Sequence, residues 1–172
     1  MELVSIVVTC LKNECSVDDF INKIAKSLKN CDFEIIFVGS DLSCASYPGI
    51  KFVSSSLNFN QAALEGLRHA CGDLVCLMDV SLSESPRFLL PMIELLDKID
   101  TDLDIVATKN VSHTGQSRIT QFFEKFSKSA SFNPSHDYCL LKRSVVDYIL
   151  NQGDFSMDFI ENGNFKVAWC EY

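Results

Sequence analysis

The sequence predicts a single α/β domain over residues 1–172, with helices on both faces of a mainly parallel central sheet, a three-layer sandwich. Three observations predict it. Short β-branched apolar runs recur along the chain, amphipathic segments with recognisable helix starts separate them, and the links between the two are short. The composition agrees: 172 residues, 47% apolar and 22% charged, supply a real core and are too apolar for disorder. No internal repeat, low-complexity tract or interdomain linker interrupts the alternation.

The elements follow in order. Leu3 to Val8 is a nearly continuous β-branched run, the pattern of a strand covered on both faces. Ser16 opens a helix, with Asp19 in capping-box position and Phe20, Ile21, Ile24 and Leu28 at helical spacing. Phe33 to Val38 is a second buried strand, and Ile50 to Val53 a shorter third after the Pro48-Gly49 turn. Asn58 caps a helix whose Ala62, Ala63, Leu67 and Ala70 share a face, and Gly72 stands where a left-handed C-terminal residue is wanted. Leu74 to Met78 is a fourth strand ending on Asp79. Ser85-Pro86 reads as an N-cap with a first-turn proline, and the helix continues through Leu89, Ile93 and Leu96. Ile105 to Ala107 is a fifth strand. A helix around Ile119 to Phe126, a strand at Tyr138 to Leu141, a helix from Ser144 to Leu150 and a strand at Phe165 to Trp169 complete the chain.

Charge and cysteine usage exclude several classes. Fifteen Lys and Arg against 23 Asp and Glu leave a net charge of −8 with no basic run, which argues against nucleic-acid binding and against adhesion to anionic lipid. The apolar stretch from Leu3 to Leu11 is far short of the ~20 residues of a transmembrane helix, and no basic region precedes it as in a secretory signal. The eight cysteines include no C-x-x-C pair, so zinc or dithiol redox chemistry is not indicated. They are expected to be reduced thiols of a cytoplasmic protein, several of them small core residues. His69, His113 and His136 have no metal-type spacing. Phe122, Phe123 and Phe126 read as core or as a partner-facing stripe.

In an open α/β sheet, ligands bind outside the carboxyl ends of the strands. Three polar clusters fall there: Thr9 to Glu14, Gly39-Ser40-Asp41 and Asp79-Val80-Ser81. Neither G-x-G-x-x-G nor G-x-x-x-x-G-K-[ST] occurs, so a diphosphate bound here would need neutralising by side chains or by a metal ion. Asp79, closing an apolar strand, is the natural anchor for a hard cation such as Mg2+ or Mn2+.

At these residues the chain resembles the family 2 glycosyltransferases of the GT-A fold. Val4-Ser5-Ile6-Val7-Val8-Thr9 with Asn13-Glu14, and then Phe33-Glu34-Ile35-Ile36-Phe37-Val38, look like that family's opening. The stretch Gly66-Leu67-Arg68-His69-Ala70-Cys71-Gly72-Asp73, with Met78-Asp79-Val80-Ser81-Leu82-Ser83, Pro86-Arg87-Phe88 and Asp104-Ile105-Val106, is similar to the polyprenyl- and dolichol-phosphate sugar transferases. His136-Asp137-Tyr138-Cys139-Leu140-Leu141-Lys142-Arg143 corresponds loosely to a later segment of that group.

The resemblance implies a GT-A-type fold, a UDP- or GDP-linked sugar donor, a divalent cation, and a lipid-phosphate or saccharide acceptor. It places Thr9 and Glu14 beside the nucleotide, with Gly39-Ser40 where the family has an acidic pair and Asp41 displaced from that register. Asp79-Val80-Ser81 stands where the family has Asp-x-Asp, so Asp79 is the expected metal ligand and Ser81 replaces the second carboxylate. Asp137 falls at an acidic position near the acceptor, as candidate general base or acceptor-orienting group, and Cys139 stands where an arginine is expected. Two readings follow. One is a transferase. The other is a GT-A-fold module without catalysis that binds or regulates a partner transferase. Peripheral contact at the inner face of a membrane is left open by Phe122 to Phe132.

Overall fold

Strand β1, Val4–Cys10, is the axis of the molecule, paired in parallel with β2 (Phe33–Gly39) on one side and β4 (Leu74–Asp79) on the other. The computed structural model describes residues 2–10, 17–39, 49–54, 58–79, 85–99, 102–109, 138–153, 155 and 164–171. Among these, seven strands form one sheet in the order β3-β2-β1-β4-β6-β5-β7, with β3 Ile50–Ser54, β5 Ile105–Lys109, β6 Cys139–Lys142 and β7 Val167–Glu171. Only the pairings of β6, with β4 and β5, are antiparallel. The mainly parallel α/β sheet is as the sequence predicts. The expected helix around Ile119 to Phe126 lies outside the described residues.

Because β1, β2 and β4 are covered on both faces, they are apolar at nearly every position, and alternate side chains feed two cores. Ile6, Val8, Phe37, Cys76 and Met78 pack under α1 (Val17–Ser27) and the helical segment after Ser85. Val7, Ile36, Val38, Val75 and Leu77 pack under α2 (Phe59–His69) and α4 (Arg143–Gln152). Helix α1 carries Asp18 and Asp19 in its first turn and Lys26 in its last, each complementing the helix dipole. Helix α2 starts at Asn58, whose side chain accepts from the Gln61 amide at 3.1 Å. No helix among the described residues is long and apolar enough to cross a membrane.

Two local expectations are corrected. The helix expected from Ser85 through Leu96 is three pieces: a 3-10 turn at Ser85–Phe88, α3 at Leu89–Glu94, and a π-helical turn at Leu95–Ile99. Pro91 has no amide hydrogen, so a continuous α-ladder from Ser85 would miss the bond to the Arg87 carbonyl, and the helix restarts. Gly72 is not left-handed: positive φ occurs at Gly49, Gly153 and Asn164 among the described residues. Glycine is required at 72 by close approach, since a Cβ there would lie 2.6 Å from the Leu3 carbonyl oxygen and 2.6 Å from the Ser5 nitrogen.

That approach belongs to a network at the amino-terminal edge of the sheet. The Ser5 hydroxyl, fully buried, donates to Glu34 Oε1 at 2.6 Å and accepts from the Gly72 amide at 2.7 Å. Glu34 Oε1 also accepts from the Cys71 amide at 2.7 Å, and Lys51 Nζ reaches Glu34 Oε2 at 2.9 Å. The Asp73 amide donates to the Leu3 carbonyl at 2.9 Å. The Arg143 guanidinium donates to the Gly72 and Ala70 carbonyls, holding α4 to the same turn. Burial pushes the Glu34 carboxyl up, but the bonds from Lys51, Ser5 and the Cys71 amide outweigh it and hold the group below its ordinary value of 4.5.

A Cβ at Gly66, in the middle of α2, would collide with Val7 Cγ1 and stand 3.0 Å from Val38 Cγ2. Gly66→Ala should therefore destabilise by about 1–3 kcal/mol through overpacking, although alanine gains about 1 kcal/mol in helix propensity. A lower urea midpoint checks it, and a raised midpoint contradicts it. Glu34, its pKa depressed on folding, stabilises the fold above pH 4.5, and this contribution is lost as pH falls through the folded value. Glu34→Gln should cost about 1–3 kcal/mol at pH 7 and flatten the acid limb of stability against pH. Parallel acid limbs in wild type and variant would contradict the assignment.

Candidate functional site at the carboxyl ends of the strands

The carboxyl ends of β2, β1 and β4 stand side by side, and Gly39, Thr9 and Asp79 sit on them. Cys10 is paired with Gly39, and Thr9 with both Val38 and Asp79. The structure thus brings together three of the residues singled out in the sequence. Glu14, Ser40, Asp41, Ser81 and Asp137 lie outside the described residues. β1 runs two residues further than the apolar pattern suggests, so Thr9 is a strand residue rather than the start of a loop. Polar Thr9 and Cys10 hide this extension in the sequence, although threonine suits a strand as well as valine does.

Thr9 and Asp79 are direct cross-strand partners on the sheet face that carries Val7, Val75 and Leu77. The Thr9 side chain is fully buried, and its hydroxyl lies 3.0 Å from Asp79 Oδ2 and 3.4 Å from the Met78 carbonyl oxygen. A hydroxyl has one proton to give, and the carboxylate oxygen is both nearer and the stronger acceptor. Asp79 itself is partly exposed, at the boundary between core and solvent. No group of three or more His, Cys, Asp or Glu stands together among the described residues. A cation at Asp79 would be held as Mg2+ or Mn2+ is held on a nucleotide, by one or two carboxylates with substrate oxygens completing the shell. The partly exposed carboxylate fits that arrangement.

Two cavities lined by described residues lie elsewhere. One, about 360 Å³, opens at the amino-terminal edge beside Asp73, Lys142 and Arg143. The other, about 530 Å³, lies between the end of α1 and α3, beside Cys31, Leu90 and Ile93. Gly66 to Asp73, so prominent in the sequence, serve helix packing and the amino-terminal edge, and do not reach the Asp79 side. The residues that sequence reasoning passed over are Glu34 and Arg143. Glu34 carried a signal, since a lone carboxylate within an apolar strand needs partners if buried. Cys76 and Cys139 are buried in the sheet, Cys10 and Cys31 are half-buried, and Cys71 is exposed; none of these five is in a disulfide. Burial pushes the Cys76 thiol far up, leaving it an inert core residue.

Comparison with known proteins agrees with this architecture. A Mycobacterium tuberculosis (strain CDC 1551 / Oshkosh) protein that carries the name glycosyltransferase is 35% identical, over 59% of this chain and 33% of its own length. The chain thus spans about a third of that relative. Among solved structures, glucosyl-3-phosphoglycerate synthase from M. tuberculosis, crystallised with Mn2+, UDP and phosphoglyceric acid, superposes with a TM-score of 0.63 at 15% identity, over 99% of this chain and 68% of the synthase. S. aureus TarS (residues 1–349) gives 0.60 at 14%, over 96% of this chain and 57% of TarS. The 4-diphosphocytidyl-2C-methyl-D-erythritol synthase of Anaerococcus prevotii DSM 20548 gives 0.63 at 18%, over 99% and 90%. These likenesses establish the fold, that of the GT-A nucleotide-sugar transferases, and their different names show that the fold alone does not select a reaction. Residues 5–149 match Glycosyl transferase family 2, and the chain belongs to that family.

Proposed function

We propose that this chain carries the donor site of a glycosyltransferase that takes a UDP- or GDP-linked sugar with a divalent cation at Asp79 and passes the sugar to a lipid-phosphate or saccharide acceptor. The observation that carries the reading is the position of Asp79, partly exposed at the carboxyl end of β4 between the ends of its neighbours. Ligands of open α/β sheets bind at that edge. The Mn2+ and UDP held by the M. tuberculosis synthase support the same donor class.

In this reading the residues divide the work. Glu14, Gly39, Ser40 and Asp41 form the side that receives base and ribose, where the glycine at the end of β2 leaves room for the nucleotide. Asp79 holds the cation, with Ser81 as a neutral oxygen beside it. The bound cation supplies positive charge against the leaving diphosphate. Asp137 orients the acceptor hydroxyl or phosphate and takes its proton.

One observation favours a second reading. Asp79-Val80-Ser81 offers one carboxylate where the family motif offers two, and charge count tunes affinity for such cations. A module that binds a nucleotide weakly, or regulates a partner transferase, would tolerate that loss. Peripheral membrane contact belongs to either reading.

Calorimetry with UDP, GDP and their sugar conjugates, with and without Mn2+, tests the proposal. We expect Mn2+-dependent binding that Asp79→Asn abolishes. Ser81→Asp should raise the Mn2+-dependent affinity by roughly tenfold, as an added charge-assisted contact of about 1–3 kcal/mol would. An unchanged affinity would show that Ser81 already serves the cation as well as a carboxylate does. No binding by wild type or either variant would move the function away from this edge.

A further inference from the structure

We infer that Thr9 is a positioning residue for the metal-binding carboxylate: its buried hydroxyl fixes the orientation of Asp79 and does not itself touch the nucleotide. The inference rests on the assignment of Asp79 as the cation ligand.

Packing alone does not ask for threonine at this position. Its strand neighbours before it are Ile6, Val7 and Val8, all buried, and valine would fill the same space. A fully buried hydroxyl costs free energy unless it is hydrogen-bonded. The bond to Asp79 Oδ2, at 3.0 Å, meets that need, whereas the Met78 carbonyl at 3.4 Å is beyond the ordinary range for a hydroxyl donor. With none of its surface open to solvent, the side chain has no face to offer a ligand.

Thr9 is also rigid. It lies in a strand paired on both sides, and a β-branched side chain has few rotamers. Asp79 ends its strand at the boundary between core and solvent. Donation to Oδ2 from a fixed hydroxyl is one restraint on the orientation of its carboxylate. Partners of this outer kind orient metal ligands in many sites, and removing one typically costs 10–100-fold in metal affinity.

The test is Mn2+ binding by the full chain in the presence of UDP, read as loss of the free-ion signal in electron paramagnetic resonance, with thermal melts alongside. We expect Thr9→Val to weaken Mn2+ binding by about tenfold or more and Thr9→Ser, which keeps the hydroxyl, to retain the wild-type affinity. Equal affinity in wild type and Thr9→Val would overturn the inference while leaving Asp79 as the ligand. So would a Thr9→Ser variant as weak as Thr9→Val. Wild type that binds no Mn2+ with UDP would overturn the assignment of Asp79, and the inference with it. Should Thr9→Val not fold, Thr9→Ser and Thr9→Ala, which differ by the hydroxyl, carry the comparison: alanine is expected to bind about tenfold more weakly, and equal affinity overturns the inference.

Discussion

The candidate site depends on the register in which β1 pairs with β4. Side chains alternate along a strand, so a slip of one residue would send Thr9 and Asp79 to opposite faces and break their hydrogen bond. Apolar pairing alone specifies register weakly here, because β1 and β4 are greasy on both faces. The polar network at the other end of the same strands supplies the missing specificity. The Asp73 amide meets the Leu3 carbonyl and the Gly72 amide meets Ser5 Oγ, two bonds that tie the start of β4 to β1, while the Cys71 amide meets Glu34 on β2. One edge of the sheet sets the alignment that the other edge uses.

This division explains the placing of the sequence features. The strands were legible because a parallel strand buried on both faces leaves an unbroken apolar run. The placing of Gly39 and Asp79 on one edge was legible too, since both close such runs. Gly72 shows the limit: a glycine after a helix fits a left-handed cap and a close contact equally well, and only the Leu3 and Ser5 backbone beside it decides. Glu34 and Arg143 show another, because their partners lie 37 and 71 positions away in the chain. The resemblance places Thr9 beside the nucleotide, and the bond from its hydroxyl to Asp79 Oδ2 across the sheet could not be read from the sequence.

Fold and family carry different weights here. The sheet superposes on a glucosyl-3-phosphoglycerate synthase and on a 4-diphosphocytidyl-2C-methyl-D-erythritol synthase at the same TM-score, so the architecture does not select a reaction. Membership of glycosyltransferase family 2 narrows the chemistry, and in the proposed function the single carboxylate of Asp79-Val80-Ser81 is the group that would hold the cation. A cation held by one carboxylate depends more on that group's orientation than a cation held by two.

In the proposed function the nucleotide and its cation bind at the carboxyl edge, and the amino-terminal edge serves structure alone. Paramagnetic broadening of backbone amide signals by Mn2+ with UDP distinguishes the two edges. Broadening is expected around Thr9, Cys10 and Asp79, with Ser5, Glu34 and Cys71 at the far edge unaffected. Broadening centred on Ser5, Glu34 and Cys71 would overturn that placement.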